Sequence, residues 1–172
     1  MRASIGLVAA LWAGLAVPAL GAAQDAYQFT VPGRGWSVAF HMTPLTQYQG
    51  ESQKGRFRLL ATTGDGTTLS LFVEPYPAKD SDACRNQYWG DASRSPLVVK
   101  SSVKLLRLGG KPAVEYVVQG QHQGQRLKAA NVNVYLAHGD TCIDFHLSRI
   151  PFRKGDEAQL AAVASTLSVK QP

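Results

Sequence analysis

QRLKAANVNVYLAHGDTCIDFHLSR, residues 125–149, alternates apolar and polar side chains on either side of a four-residue break. In its first arm Val132, Val134 and Leu136 interleave with Asn131, Asn133 and Tyr135, the two-residue period that sends successive side chains to opposite faces of a strand. His138-Gly139-Asp140-Thr141 interrupts the pattern, and Gly139 can take the positive φ that a tight hairpin turn requires. In the second arm Ile143, Phe145 and Leu147 fall on one face and Cys142, Asp144 and His146 on the other. The stretch therefore reads as a long β-hairpin with one core face. A bond from Cys142 to Cys84, which lies in a helical pattern, would lay a helix over the second face as well.

Working outward, the chain opens with Arg2, an apolar run over residues 5–20, and the small residues Gly21, Ala22 and Ala23. A positive start, an apolar middle and a small-x-small end have the layout of a secretory signal peptide. Residues 1–23 are expected to be removed, leaving 24–172 as a single domain with no membrane span and enough chain to bury a core. Pro18 breaks the run, which argues against a permanent anchor. The formal charge is +6, one unit of it on Arg2. No basic block stands out, so scattered surface charge with loose attraction to anionic partners is the expectation.

The only two cysteines, Cys84 and Cys142, suit one disulfide in an oxidising compartment, periplasmic or extracellular. Closing a loop of roughly 60 residues stabilises a fold by about 4 kcal/mol in the chain-entropy account. With no Cys-x-x-Cys, the pair reads as a structural link and not as redox chemistry.

Alternation over 27–31 and 36–40, separated by Pro32-Gly33-Arg34-Gly35, predicts a strand pair. Residues 44–55 are polar and turn-rich and read as a surface loop. Two longer strands, 56–62 and 67–75, flank an Asp-Gly turn at Asp65-Gly66; Phe57, Leu59 and Ala61 face one way, Arg56 and Arg58 the other. Asp80 or Ser81 caps a helix to about residue 93, with Cys84, Tyr88 and Ala92 on one side. Strands follow at 103–108 and 113–118, and the Gly/Gln segment 119–125 reads as a mobile tip. Residues 156–167 form a last amphipathic helix: Asp156 and Gln159 suggest a capping box, and Leu160, Val163, Ala164 and Leu167 trace the face that beds on Ile143, Phe145 and Leu147.

This order of elements, opened by Pro32-x-x-Gly35-Trp36, resembles the PsbP-like fold of the photosystem II extrinsic subunit and of exported bacterial proteins of the DcrB kind. The resemblance covers residues 27–169. It implies an α+β class, an antiparallel β-sheet sandwiched between helices as an α/β/α sandwich, and an adaptor or binding module without intrinsic catalysis. It carries over no site residue, because no motif of function matches.

No Gly-x-Ser-x-Gly, Walker loop or His-Glu-x-x-His is present. Gly33-Arg34-Gly35 and Gly64-Asp65-Gly66 lie between strands, without the helix N-terminus that would make a phosphate cradle. Asp144 and His146 share a strand face, below His138 and Asp140, and could orient a general base or bind a metal; neither ligand count nor spacing is specific, and a satisfied, partly buried histidine is the simpler account. Neither a metal nor a cofactor is implied. His41 and His122 are expected to face solvent. Tyr48, Lys54, Arg56 and Arg58 interleave bases with an aromatic and, with Asp144 and His146, form the candidate binding surface. For an exported chain a protein or envelope component is the expected partner, not nucleic acid. The reading is thus an exported, non-catalytic binding or adaptor module of the cell envelope. Its alternatives are an inhibitor or immunity protein against an envelope-acting enzyme, and a hydrolase using Asp144 and His146.

Overall fold

The computed structural model describes residues 24–171; the leader-like segment 1–23 lies outside the described residues. Strands β1 (Asp25–Thr30) and β2 (Ser37–Met42) are followed by β3 (Leu45–Gln53), β4 (Arg56–Thr63) and β5 (Thr67–Pro75). Helix α1 (Ser81–Ala92) leads to β6 (Lys104–Leu108), β7 (Lys111–His122), β8 (Gln125–His138) and β9 (Thr141–Arg149). Helix α2 (Asp156–Ser165) and a short β10 (Ser168–Lys170) end the described chain. The long hairpin read from 125–149 is β8 and β9, with Gly139 at φ 59° in its turn.

Seven strands form one antiparallel sheet in the order β3-β4-β5-β9-β8-β7-β6. Its inner face carries Phe57, Leu59, Leu69, Leu71, Val132, Val134, Ile143, Phe145 and Leu147, all buried in one cluster. Against that cluster pack Val38, Phe40 and Met42 of β2 together with Leu160, Ala164 and Leu167 around α2. Helix α2 thus beds where the spacing of its apolar residues places it. The α+β, antiparallel class holds, but the expectation of a sheet enclosed between helical layers does not describe the inner side. There a second sheet, β1-β2-β10, shares the covering layer with α2. It arises because β10 adds to β2 on the side away from β1, pairing Val169 with Val38.

Four local expectations are corrected. Residues 44–55 are not a loop: β3 pairs with β4 along its length, as the sheet's edge strand. The segment 119–125 is not an open tip, because the β7–β8 ladder continues to His122↔Gln125, closed by Gln123 at φ 49° and Gly124 at φ 78°. Helix α2 is not capped by Asp156; Gly155 at φ 96° holds the cap position. The Asp156 carboxylate accepts instead from the Arg153 amide (2.6 Å) and from Arg149 Nη1 (3.0 Å), whose guanidinium also reaches Gln159 (2.6 Å) and Asp65 (2.7 Å). Arg149, hardly exposed, therefore ties the start of α2 to the β4–β5 turn. Ala92, finally, is exposed and adds nothing to the α1 contact.

Candidate functional site

The outer face of the large sheet is read row by row from the strand register. One row runs Gln49, Leu60, Ser70, His146, Asn133, Val114; the next runs Glu51, Arg58, Phe72, Asp144, Tyr135. A third passes through Gln53, Arg56, Glu74, Cys142 and Ala137. Helix α1 covers only the β7–β8–β9 end of these rows. Asp80 caps it by accepting from the Ala83 amide (2.9 Å), and Ser81 Oγ accepts from the Ala137 amide (2.9 Å). Cys84 is bonded to Cys142 with a Cα separation of 5.6 Å, as the cysteine count implies. Tyr88 stacks on Tyr135 (6.3 Å between ring centres) and Trp89 packs on Tyr116 (4.9 Å).

Beneath α1 the floor is partly polar. Tyr116 Oη donates to Asn133 Oδ1 (3.2 Å), and Asn133 Nδ2 donates to Asp144 Oδ1 (2.7 Å). Burial pushes the Asp144 carboxyl up to about 7; the Asn133 bond opposes this and the Glu74 charge adds to it. Burial brings His146 down to about 4, so its ring is neutral near pH 7. Asn131 uses its Nδ2 on the Ala129 carbonyl (3.0 Å) and offers Oδ1 to His146 Nε2 (3.0 Å), which fixes the proton on Nε2. Burial also raises Tyr88, Tyr116 and Tyr135 well above the usual phenol range. The carboxyl and the imidazole share a face, as their spacing requires, yet each is bonded to an asparagine and not to the other. Such a row, with both side chains half-buried, helps to hold the sheet in register.

Tyr88 marks the border of the covered zone, its Oη donating to Glu74 Oε2 (3.0 Å). Beyond it, among the described residues, the outer face of β3–β4–β5 is open. Arg56 is 3.6 Å from Glu74, and Arg58 is 3.5 Å from Glu51 with its guanidinium over the Phe72 ring (5.3 Å). Two adjoining shallow grooves follow these strands. One of about 410 Å³ runs over Gln49, Leu60, Thr62 and Ser70, and one of about 400 Å³ over Ser52, Arg58, Phe72 and Glu74. Leu60, at 38% exposure, is an apolar side chain on the face that Arg56 and Arg58 mark as polar.

Of the residues singled out from sequence, Arg56, Arg58, Asp144 and His146 share the outer face. Tyr48 does not join them: it pairs with Ala61, points to the inner side, and meets Phe29 edge-on at 5.8 Å. Lys54 sits at φ 51° in the β3–β4 turn, beside the second groove's end. Leu60, Ser70 and Phe72 were missed. Their signal was the apolar pair Leu60 and Phe72 in positions where alternation demands polar residues. His41 is exposed as expected. Among the described residues no three His, Cys, Asp or Glu side chains gather as a metal site, and no helix is long and apolar enough to cross a membrane.

No family model matches the chain, and no curated protein matches it. The chain is similar to solved structures, among them two bacterial proteins. A protein from Bacteroides thetaiotaomicron aligns with a TM-score of 0.52 at 16% identity over 84% of this chain and 48% of its own; the chain thus spans about half of that neighbour's length. LpqN of Mycobacterium tuberculosis, described as involved in cell envelope biogenesis, aligns with a TM-score of 0.44 at 12% identity over 86% of this chain and 91% of its own. The first likeness, at this level of identity, concerns fold alone and leaves function to be argued from the site.

Proposed function

We propose that the chain is an exported, non-catalytic binding module, periplasmic or secreted, that meets a protein or other envelope component through the open half of its outer sheet face. One observation carries this reading. Leu60, exposed, and Phe72, half-buried beneath the Arg58 guanidinium, line adjoining grooves whose neighbouring charges, Arg56, Arg58, Glu51 and Glu74, are already matched with one another. Apolar surface ringed by satisfied polar groups is the usual anatomy of a contact surface. The Cys84–Cys142 bond and the leader-like start of the sequence support the address. The PsbP-like resemblance belongs to the same reading, since an adaptor needs a rigid body more than a reactive centre.

Photo-crosslinking tests it. A photoreactive amino acid at position 60, in cells that make and export the chain, is expected to give a discrete adduct. The same group at Asn86, exposed on α1, is expected to give none. No adduct from position 60, or equal adducts from both, would remove the reading. The hydrolase alternative makes a different demand: a His146→Ala change must abolish a measurable hydrolysis.

A further inference from the structure

We infer that the edge of β3, unpaired among the described residues, takes up an extended polypeptide segment of the partner as an eighth, antiparallel strand; this rests on the binding-module reading above and names what binds beside the open face. The β3–β4 turn has two residues, Lys54 at φ 51° and Gly55 at φ 75°, closed by the pair Gln53↔Arg56. In such a turn the closing pair is hydrogen-bonded. Every second pair up the ladder then follows, so Gln53, Glu51 and Gln49 turn their amides to β4. Ser52, Gly50 and Tyr48 turn theirs outward. Their N–H and C=O groups form an alternating row of donors and acceptors that the backbone of another strand matches.

The edge has none of the usual defences along this run. It contains no proline, and its single charge, Glu51, is paired with Arg58 at 3.5 Å. The one irregularity, a bulge between Leu45 and Gln47, lies before it. A strand of low charge therefore meets no uncompensated charge here, and an acidic one would meet Glu51.

Side-chain selection comes from Gly50. It leaves a notch on the inner side of the edge, bordered by Tyr48, which is 65% exposed, and floored by the Phe57 ring, 3.5 Å from where a Cβ would stand. The incoming residue opposite Gly50 points to that same side, so a large apolar side chain there covers the ring and packs on Tyr48. An edge one strand wide, ~5 Å, and nine residues long, ~30 Å, is small beside the ~800 Å² per partner of a stable interface between globular bodies. It suits a flexible segment that can also reach into the adjoining groove better than it suits a second rigid copy.

The probe is a nine-residue peptide alternating threonine and valine about a central phenylalanine, with a lysine at each end. At millimolar peptide the amides of Tyr48, Gly50 and Ser52 are expected to exchange with deuterium about tenfold more slowly or less, as read by NMR. The same peptide methylated on alternate backbone nitrogens is expected to give no protection. Gly50→Pro removes an outward amide without taking a bond from β4, so it should abolish binding while melting stays within a few degrees, about the range of a surface change. Gly50→Val puts its Cβ at ordinary contact distance from Phe57, fills the notch, and should weaken the phenylalanine peptide while sparing a valine-centred one. Three results would overturn the inference: no protection at saturating peptide, equal protection by the methylated peptide, or concentration-dependent protection without peptide, which would give the edge to a second copy. Crosslinking from position 60 is read independently. If it persists when the peptide fails, the strand is wrong and the face stands; if it fails while the peptide binds, the reverse holds.

Discussion

The outer face of the sheet is one surface treated in two ways. Over β7–β8–β9 it lies under α1, fixed by a disulfide, two aromatic contacts and a capping aspartate, above a row of hydrogen-bonded asparagines. Over β3–β4–β5 the same rows continue with none of the described residues above them. Sequence explains the difference. The covered strands supply Val114, Tyr116, Tyr135 and Cys142, all buried. The open strands supply Arg56, Arg58, Thr62, Thr68 and Ser70, with Leu60 and Phe72 set among them. On the proposed reading, stability and recognition fall at opposite ends of one face, so changes at the two ends should differ sharply in effect.

The largest contrast is expected from Tyr135→Ala, which empties a side chain 1% exposed beneath Tyr88 and should cost about 3 kcal/mol or more in urea unfolding. Next comes the double change Cys84→Ala, Cys142→Ala. Loss of the link should lower stability by about 2–4 kcal/mol, and reductant should then have no further effect on the variant. A smaller cost would mean that the aromatic contacts hold α1 alone.

The third expectation concerns pH and stays within the covered half. Asp144 titrates near 7 in the fold against 3.8 when free, so its contribution is present at low pH and is lost as pH rises through that window. His146 titrates near 4 against 6.5, so its contribution is lost as pH falls from 6.5 to 4. The two slopes oppose one another between about pH 4 and 6.5, each on the order of 1 kcal/mol per pH unit at most. The unaltered protein should therefore show a nearly flat contribution there. Asp144→Asn should make stability rise with pH across that range, and His146→Gln should make it fall. Parallel pH profiles in all three proteins would remove the assignment. The smallest effect is reserved for the open half: Leu60→Ala should change stability by no more than about 0.5 kcal/mol while weakening the crosslink from neighbouring Ser70.

Most of this division could be read from residues alone, for a reason visible in particular strands. The period of two in β4, β5, β8 and β9 is loud because one of their faces is buried. In β3 the sequence Leu45–Gln53 sets polar side chains on both faces, and all but Leu45 are exposed, so no alternation exists to detect. An edge strand is held by backbone bonds to one neighbour, and those leave no mark on composition. The Gly/Gln run of the β7–β8 end was misread on the same ground. Three-residue β10 is too short to carry a pattern. Asp144 and His146 were placed on the right face, but their half-buried setting and asparagine partners depend on the strand register, which the sequence does not announce. The arginine pair was legible as surface; that its charges are matched by Glu51 and Glu74 required the register.

The seating of β10 beside β2 has a bearing on how the chain matures. Ser168 Oγ donates to the Ala39 carbonyl across 129 residues of intervening sequence. The small inner sheet is therefore incomplete until Ser168–Lys170 have emerged from the ribosome, and contacts of such long sequence range make for slow folding. A nascent molecule built this way keeps the Val38 side of β2 without its second neighbour until synthesis reaches Val169.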